Sequence, residues 1–247
     1  MTKRVPVLCL KGFAATLALF ALISPAWGGP PYLSDDPEPT DYGHYEIYAF
    51  GLGTSGVNGM EGEAGIDFNY GGAPDLQLTA VVPMAYDGEG HKGLGNIELA
   101  AKYRFLHQEE DGIDLSVFPR AFLPSASRNV GDQHASFLLP LWAEKDFGAW
   151  SLFGGGGCVL NRSGDDRNFC LGGVALTRAI TSDLHLGLEI FHQTADAVDS
   201  KASTMLGAGL TYDLSEHYHL LTYWGPGLQN ARQTGRSDWY GALLFTF

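Results

Sequence analysis

The chain ends on the stretch Asp238-Trp239-Tyr240-Gly241-Ala242-Leu243-Leu244-Phe245-Thr246-Phe247. In an extended strand alternate side chains share a face, so Trp239, Leu243 and Phe247 lie on one apolar face. A transmembrane barrel accommodates such a strand, because its closing strand pairs on both edges and presents an apolar band to lipid. We therefore expect the closing strand of a membrane barrel here. The last strand of a soluble β-sandwich is the alternative.

The composition agrees with a barrel rather than with a helical membrane protein. Only 17% of the 247 residues are charged and 12% are aromatic, whereas about a quarter of the residues in a soluble domain are charged. The mean hydropathy is nevertheless -0.04. Beyond the leader, no run approaches the ~18 apolar residues of a membrane helix. Barrel strands alternate apolar and polar residues, so their apolar content disappears in averages.

The first 28 residues have the features of a secretory signal peptide. A short apolar core at residues 13–23 (FAATLALFALI) is accompanied by three basic residues, which are Lys3, Arg4 and Lys11. We expect cleavage after Gly28, with Ala26 as the alternative, because small residues occupy these positions. A retained anchor would need a longer apolar core.

The mature chain is strongly acidic. The formal net charge of the full chain is -13, and removal of the basic leader makes the remainder more negative still. An acidic surface repels the phosphates of nucleic acid and the head groups of anionic lipids. We therefore expect no nucleic-acid partner.

Residues 29–43 (GPPYLSDDPEPTDYG) contain four prolines and four carboxyl side chains. Proline at this density excludes a helix or a central strand. We expect an extended segment that is either periplasmic or lodged in the barrel mouth. A calcium-binding carboxylate cluster is an alternative, although the spacing matches no defined loop motif.

Residues 44–247 consist of alternating segments of about ten residues, a length that suits a tilted membrane strand. The expected strands are 44–53, 61–71, 74–85, 95–106, 113–123, 135–146, 149–161, 169–180, 183–194, 203–214, 217–225 and 238–247. Twelve is an even number, as bacterial barrels require, and long polar connections alternate with short ones. A Greek-key sandwich would mix hairpins with crossovers. The sequence therefore predicts an all-β fold, a transmembrane up-and-down antiparallel β-barrel of about 12 strands.

The alternation also separates lipid-facing from lumen-facing side chains. In the strand at 95–106, Ile97 and Leu99 oppose Glu98 and Lys102. A charge on the lipid face near the midplane costs roughly 2–4 kcal/mol, so ionic side chains should line the lumen. The lumen-lining candidates are Glu63, Asp67, Glu98, Lys102, Arg104, Asp114, Arg120 and Glu189. They form either a salt-bridged network that stiffens the interior or a charged constriction that selects solutes. The segments at 135–161 alternate poorly.

Cys158 and Cys170 lie symmetrically about Gly164, so they face each other if the two strands form a hairpin. An oxidising export route favours a disulfide. Two reduced thiols are the alternative, and a register slip of one residue would put the thiols on opposite faces.

The sequence offers little support for catalysis. A triad needs serine, histidine and an acid within hydrogen-bond reach, and no serine stands in a Gly-x-Ser-x-Gly context. The candidate bases are His185, His192, His217 and His219. His91 and His134 fall in outer loops, and the histidines show no metal-ligand spacing. We expect no enzyme activity, no cofactor and no metal.

Two stretches resemble a known family. They are PPYLSDDPEP at residues 30–39, followed by GHYE at 43–46, and GNIELAAKYRF at 95–105. Both resemble outer-membrane, transporter-like proteins associated with the meta pathway of phenol degradation. The resemblance implies a role in the passage of small organic compounds and brings no established catalytic residues.

We therefore expect a barrel in the outer membrane of a Gram-negative bacterium that acts as a channel or transporter for small hydrophobic or aromatic compounds. The alternatives are a plugged structural or envelope barrel without conductance, and an outer-membrane lipid-modifying enzyme. The expected partners are outer-membrane lipid and lipopolysaccharide, a small-molecule solute, and the barrel-assembly machinery. The last would recognise the C-terminal strand that ends in Phe247.

Overall fold

The structure is a computed structural model, and it describes residues 30–57, 59–161, 167–198 and 200–247. The predicted signal peptide at residues 1–28 and the centre of the loop between the two cysteines lie outside the described residues. Two helices of four residues each occur in the described part of the chain, α1 (Gln108–Asp111) and α2 (Ala231–Thr234). No helix within those ranges is long and apolar enough to cross a membrane.

Fourteen β-segments of the described chain form one antiparallel sheet. They are β1 (Tyr45–Gly56), β2 (Gly59–Ala73), β3 (Leu76–Tyr86), β4 (Lys92–Leu94), β5 (Glu98–Leu106), β6 (Asp114–Val117), β7 (Arg120–Phe122), β8 (Ser136–Phe147), β9 (Trp150–Leu160), β10 (Phe169–Ala179), β11 (Leu184–Gln193), β12 (Ser203–Ser215), β13 (Tyr218–Pro226) and β14 (Ser237–Thr246).

Two of the strands in the barrel wall are interrupted. β4 and β5 both pair with β3, and β6 and β7 both pair with β5 and β8. The fourteen segments therefore make twelve wall strands, which confirms the predicted fold class. The interruptions fall at residues 95–97 and 118–119, where the sequence analysis expected continuous strands.

The last strand closes the barrel against the first one. β14 pairs with β13 on one side and with β1 on the other, in a register that places Glu46 opposite Thr246. The backbone amides of Tyr45 and Phe247 each donate to the carbonyl oxygen of the other, at 2.9 and 3.0 Å. No strand edge is left unpaired at this seam, as a barrel in lipid requires.

The two ends of the barrel differ in their connections. The turn end carries the two-residue links at 74–75, 148–149 and 216–217, and the loop end carries the long links at 123–135, 194–202 and 227–236. One predicted loop is wrong. β1 extends to Gly56 and β2 begins at Gly59, so most of the expected loop at 54–60 is strand. The two strands keep pairing beyond the apolar band.

Apolar side chains also face inward on one side of the barrel. This packed side consists of Trp142, Phe153, Phe191, Met205, Leu221 and Tyr223, each at most 6% exposed. It explains the poor alternation at 135–161, where Leu138 is buried inside and Leu139 is exposed outside. Large apolar side chains therefore fill this part of the lumen as they would a protein core.

Candidate functional site

The N-terminal segment, residues 30–43, lies inside the barrel. It is attached at the turn end, where the amide of Gly43 donates to the carbonyl oxygen of Gly71 at 2.8 Å and Tyr42 forms a single bridge to the same residue. From there it extends into the lumen as far as Pro30. The segment is thus neither a periplasmic lead-in nor confined to the mouth, the two positions expected from the sequence.

The first anchor of the segment is on the packed side. One carboxylate, that of Glu189 on β11, accepts hydrogen bonds from the amides of Leu33 and Ser34, at 3.1 and 2.6 Å. The Tyr32 hydroxyl donates to the Gly209 carbonyl at 3.2 Å, and its ring meets Phe153 edge-on at a centroid distance of 5.6 Å. Two backbone amides on one buried carboxylate give a charge-assisted attachment.

Glycine makes room for this anchor. A Cβ atom on Gly209 would lie 2.6 Å from Tyr32 Cε1, and one on Gly173 would lie 2.5 Å from Ser34 Oγ. Any larger residue at these two wall positions would collide with the segment. Close approach of the segment, by the Tyr32 ring at Gly209 and by the Ser34 hydroxyl at Gly173, therefore explains both glycines.

The second anchor is Lys102 on β5. Its Nζ atom donates to Asp35 Oδ1 at 3.0 Å, to Asp36 Oδ1 at 3.3 Å and to the Glu38 carbonyl at 3.2 Å. The lysine is only 4% exposed. Removal of one partner from a buried ion pair is costly, because it leaves an uncompensated charge.

A polar cluster on the wall completes the attachment. The Gln77 side-chain oxygen accepts hydrogen bonds from the amide and the hydroxyl of Thr40, at 2.8 and 3.1 Å. The Gln77 amide group donates to Asn69 Oδ1 at 2.7 Å and to Thr79 Oγ1 at 3.0 Å. These buried polar groups hold the last part of the segment against β2 and β3.

A cavity of about 470 Å³ lies beside the segment, on the side of the barrel formed by β14 and β1–β8. We call this the hollow side. The carboxyl side chains at its border are Asp35, Asp36, Glu38, Asp41, Glu46, Glu63, Asp67, Glu98, Asp114, Glu144 and Asp146, and the cationic side chains are Lys102, Arg104 and Arg120. Its volume is in the range that holds a small molecule.

Seven of the eight lumen-lining candidates border this cavity, and they are Glu63, Asp67, Glu98, Lys102, Arg104, Asp114 and Arg120. The eighth, Glu189, lies across the segment and binds it instead. Asp146 and the aromatic residues Tyr48, Phe50 and Tyr240 also border the cavity, although they are not among the predicted lumen residues. Tyr48 and Phe50 could have been predicted to face the lumen, because they lie on the same face of β1 as Glu46.

The cationic side chains of the cavity are all engaged in ion pairs. Arg120 binds both oxygens of Glu98, at 2.6 and 3.0 Å. Arg104 lies 3.2 Å from Asp75, 3.6 Å from Asp114 and 3.9 Å from Glu38. A salt-bridged network is therefore present, and it holds charges in a confined space with less desolvation cost than isolated charges would carry.

Cys158 and Cys170 are joined by a disulfide and pair directly across β9 and β10. Both residues are exposed on the outward face. The bond therefore clamps the base of the 161–168 loop and takes no part in the lumen.

In the described part of the chain, the four candidate bases have four different surroundings. His219 lies 2.6 Å from Asp213 and 3.4 Å from Thr246 Oγ1. However, that hydroxyl also donates to the Glu216 carbonyl at 3.2 Å. His192 meets Thr204, and His217 stacks on Phe247. His185 is buried in the wall with neither ring nitrogen bonded to a described residue.

One group of possible metal ligands lies in the loop after β3. Ligand atoms of Asp87, Glu89 and His91 are within 4.8 Å of one another. The ring of His91 is hydrogen-bonded to Asp87 at 2.7 Å. This bond lowers the pKa of the Asp87 carboxyl and raises the pKa of His91. The carboxylate and the imidazole therefore satisfy each other at the exposed surface.

Two solved structures with a similar fold are a channel and a porin. The COG4313 outer membrane channel from Pseudomonas putida F1 superimposes with a TM-score of 0.70 and 14% identity, over 86% of this chain and 98% of that one. The KdgM porin in complex with disordered oligogalacturonate gives a TM-score of 0.56 and 10% identity, over 82% and 99%. At such identities the likeness is one of fold.

No curated protein matches the chain. A family profile described as "Putative MetA-pathway of phenol degradation" matches residues 42–237. The match includes the stretch at 95–105 on which the resemblance was based, and it begins after the stretch at 30–39. Because the match covers well over half of the chain, the protein belongs to this family.

Proposed function

We propose that the protein is an outer-membrane channel that passes small organic compounds along the hollow side of its lumen. The observation that carries the proposal is the cavity beside the N-terminal segment. Its lining runs from Glu63, near the loop end of β2, to Asp146, one residue before the turn end of β8. The channel and porin folds of similar shape support the same function.

The outward surface supports a place in the membrane. Outward side chains such as Leu78, Leu99, Leu139 and Leu188 are 46–65% exposed although they are apolar. Such a band is stable only against lipid. We place the turn end of the barrel at the periplasm and the loop end at the outer surface, where lipopolysaccharide lies, because bacterial barrels have short periplasmic turns and longer extracellular loops. Phe247, which directly follows β14, is the proposed signal for the barrel-assembly machinery.

Residues 1–28 are the proposed signal peptide, removed after Gly28, because their short apolar core and the small residues that follow it are typical of a secretory leader.

The N-terminal segment is the proposed restriction in the channel. It occupies the lumen between its anchors on Glu189 and Lys102, and it leaves passage on one side. The competing function is a plugged envelope barrel, which the same two anchors would favour if the cavity did not connect the two ends. A lipid-modifying enzyme has less support, because the Thr246 hydroxyl, which lies 3.4 Å from His219 Nε2, also donates to a backbone carbonyl.

Planar-bilayer recording tests the channel. The full-length mature barrel should give small, steady current steps, and a variant lacking residues 30–41 should give steps several-fold larger, because the lumen then loses its largest obstruction. Barrel formation by both proteins is checked by their β-rich circular dichroism. Silence from both folded proteins would favour the plugged envelope barrel.

A further inference from the structure

The lumen cavity has an excess of negative charge that its own cations do not cancel. Eleven carboxyl side chains border it, against three cationic side chains. Lys102, Arg104 and Arg120 are each already bound to at least one carboxylate. No cation at the cavity border is therefore left to attract an anionic solute.

Six of the eleven carboxyl groups at the border have no cationic partner within ion-pair distance among the described residues, and they are Asp41, Glu46, Glu63, Asp67, Glu144 and Asp146. Asp67 accepts from the Asn69 amide group at 2.9 Å, and Glu46 accepts from the Tyr48 hydroxyl at 3.2 Å. Glu144 is 6% exposed and accepts from the Ser151 hydroxyl. Glu63 has no hydrogen-bond partner in the described chain. A carboxyl group without a bound cation favours one in the adjacent space, because a cation there stabilises the ionised form.

Aromatic rings border the same cavity, and they are an independent feature. Tyr48, Phe50 and Tyr240 project from β1 and β14. Tyr48 is directly opposite Asp67 in the β1–β2 register, so a carboxylate and a ring stand side by side. An aromatic face attracts a cation, most strongly where water is excluded.

These rings also differ from the other aromatic ring of the cavity. Phe118 already has Lys102 at 5.0 Å and Arg120 at 5.2 Å from its centroid. Tyr48, Phe50 and Tyr240 have no lysine or arginine over them among the described side chains. Aromatic rings that carry no lysine or arginine and carboxylates that have no cation are the two components that bind an ammonium group bearing an organic substituent.

We infer that the channel selects small organic cations, with the carboxylates of Glu63 and Asp67 attracting the charge and the rings of Tyr48, Phe50 and Tyr240 contacting the organic part. This inference rests on the proposed channel function and names the solute class. Asp and Glu side chains that line a pore also set the preference for cations in other channels.

The test is the zero-current potential of the full-length mature barrel in a planar bilayer. A potassium chloride gradient gives the preference for cation over anion, and we expect at least fivefold. Replacing potassium by phenyltrimethylammonium on one side, and chloride by benzoate in a separate experiment, compares two aromatic ions of similar size and opposite charge. The organic cation should permeate at least fivefold better than benzoate.

Variants locate the selectivity. The double change Glu63→Gln and Asp67→Asn should bring the cation preference toward unity, whereas Glu109→Gln, an exposed carboxylate on α1, should leave it unchanged. Tyr48→Leu should lower the permeability of phenyltrimethylammonium relative to potassium and leave the potassium-to-chloride ratio intact.

Failure of the inference and failure of the channel proposal give different results. Current without cation preference, or a preference that survives the double change, overturns the inference and leaves the channel standing. Absence of current from a folded barrel overturns both.

Discussion

The packed side and the hollow side of the lumen are built by one continuous sheet, yet they fill the interior in opposite ways. On the packed side, Trp142 and Phe153 are each 1% exposed. On the hollow side, ionic side chains surround a cavity of about 470 Å³. The difference teaches that a barrel of twelve strands is narrow enough to be closed by side chains on one side and wide enough to keep space on the other.

The N-terminal segment joins the two sides. Its apolar end, at Tyr32, packs among the rings of Phe153 and Tyr223. Its acidic part, at Asp35 and Asp36, turns to Lys102 on the hollow side. The segment therefore matches the chemistry of each side, which explains how a chain without regular secondary structure is held in one place.

The largest expected difference between the sides is in stability. Phe153→Ala should lower the free energy of unfolding by about 3–5 kcal/mol, because it leaves a cavity in a filled interior. Phe50→Ala should cost clearly less, since Phe50 already borders open space. Urea unfolding of both variants in lipid vesicles measures the two values. Equal losses of unfolding free energy in the two variants would mean that the hollow side is as tightly packed as the packed side.

A smaller effect is expected at the anchor on Lys102. Lys102→Met leaves Asp35 and Asp36 without their cation, and we expect docking of the segment to weaken by about 3 kcal/mol. The measurement is the rate at which a protease cleaves residues 30–43 in the folded barrel. Lys145→Met is the matched control, because that lysine is exposed and donates to the Gly112 carbonyl outside the lumen. Unchanged protection in Lys102→Met would show that the Glu189 anchor suffices.

The smallest expected effect is on pH dependence. Burial within the barrel and the charge of Asp36 raise the pKa of Glu38 from 4.5 to about 7, against the opposing effect of Arg104. The docked segment then holds a proton that the free segment has lost, so docking weakens as the pH rises from 4.5 to about 7 and is constant above that range. Because 63% of the side chain meets the lumen space, the change should be modest.

Conductance recorded between pH 4.5 and 8 checks this prediction. It should rise across the lower part of that range and level off above about pH 7. Glu38→Gln should flatten the rise, although Asp36, whose pKa burial also raises, will keep part of it. A rise of the same size in the variant would assign the pH dependence to other groups.

Much of the wall could be predicted from the sequence, because membrane strands must alternate. The alternation at 95–106 placed Glu98 and Lys102 inside and Leu99 outside, and the structure agrees. The alternation failed at 135–161 for a physical reason. Where apolar side chains fill the interior as well as the outer face, as at Leu138 and Leu139, the sequence has no polar residue to mark the inside.

The site was less predictable than the wall. Candidates such as Glu63 and Arg120 follow from parity, but the location of residues 30–43 does not. A proline-rich segment has no periodicity, and its place depends on Glu189, which lies 155 positions from Ser34, and on Lys102, which lies 67 positions from Asp35. Only the closed fold brings these residues together. The local sequence does not predict such pairings between distant residues.

The seam between β14 and β1 has a consequence for biogenesis. The last strand of the barrel wall, β14, must pair with the first, β1, so a chain that lacks β14 cannot close the barrel. A polypeptide cut before residue 237 would expose two unsatisfied edges, on β1 and on β13, and hydrocarbon offers no hydrogen bonds to either. Premature termination should therefore yield aggregation or degradation rather than a smaller pore.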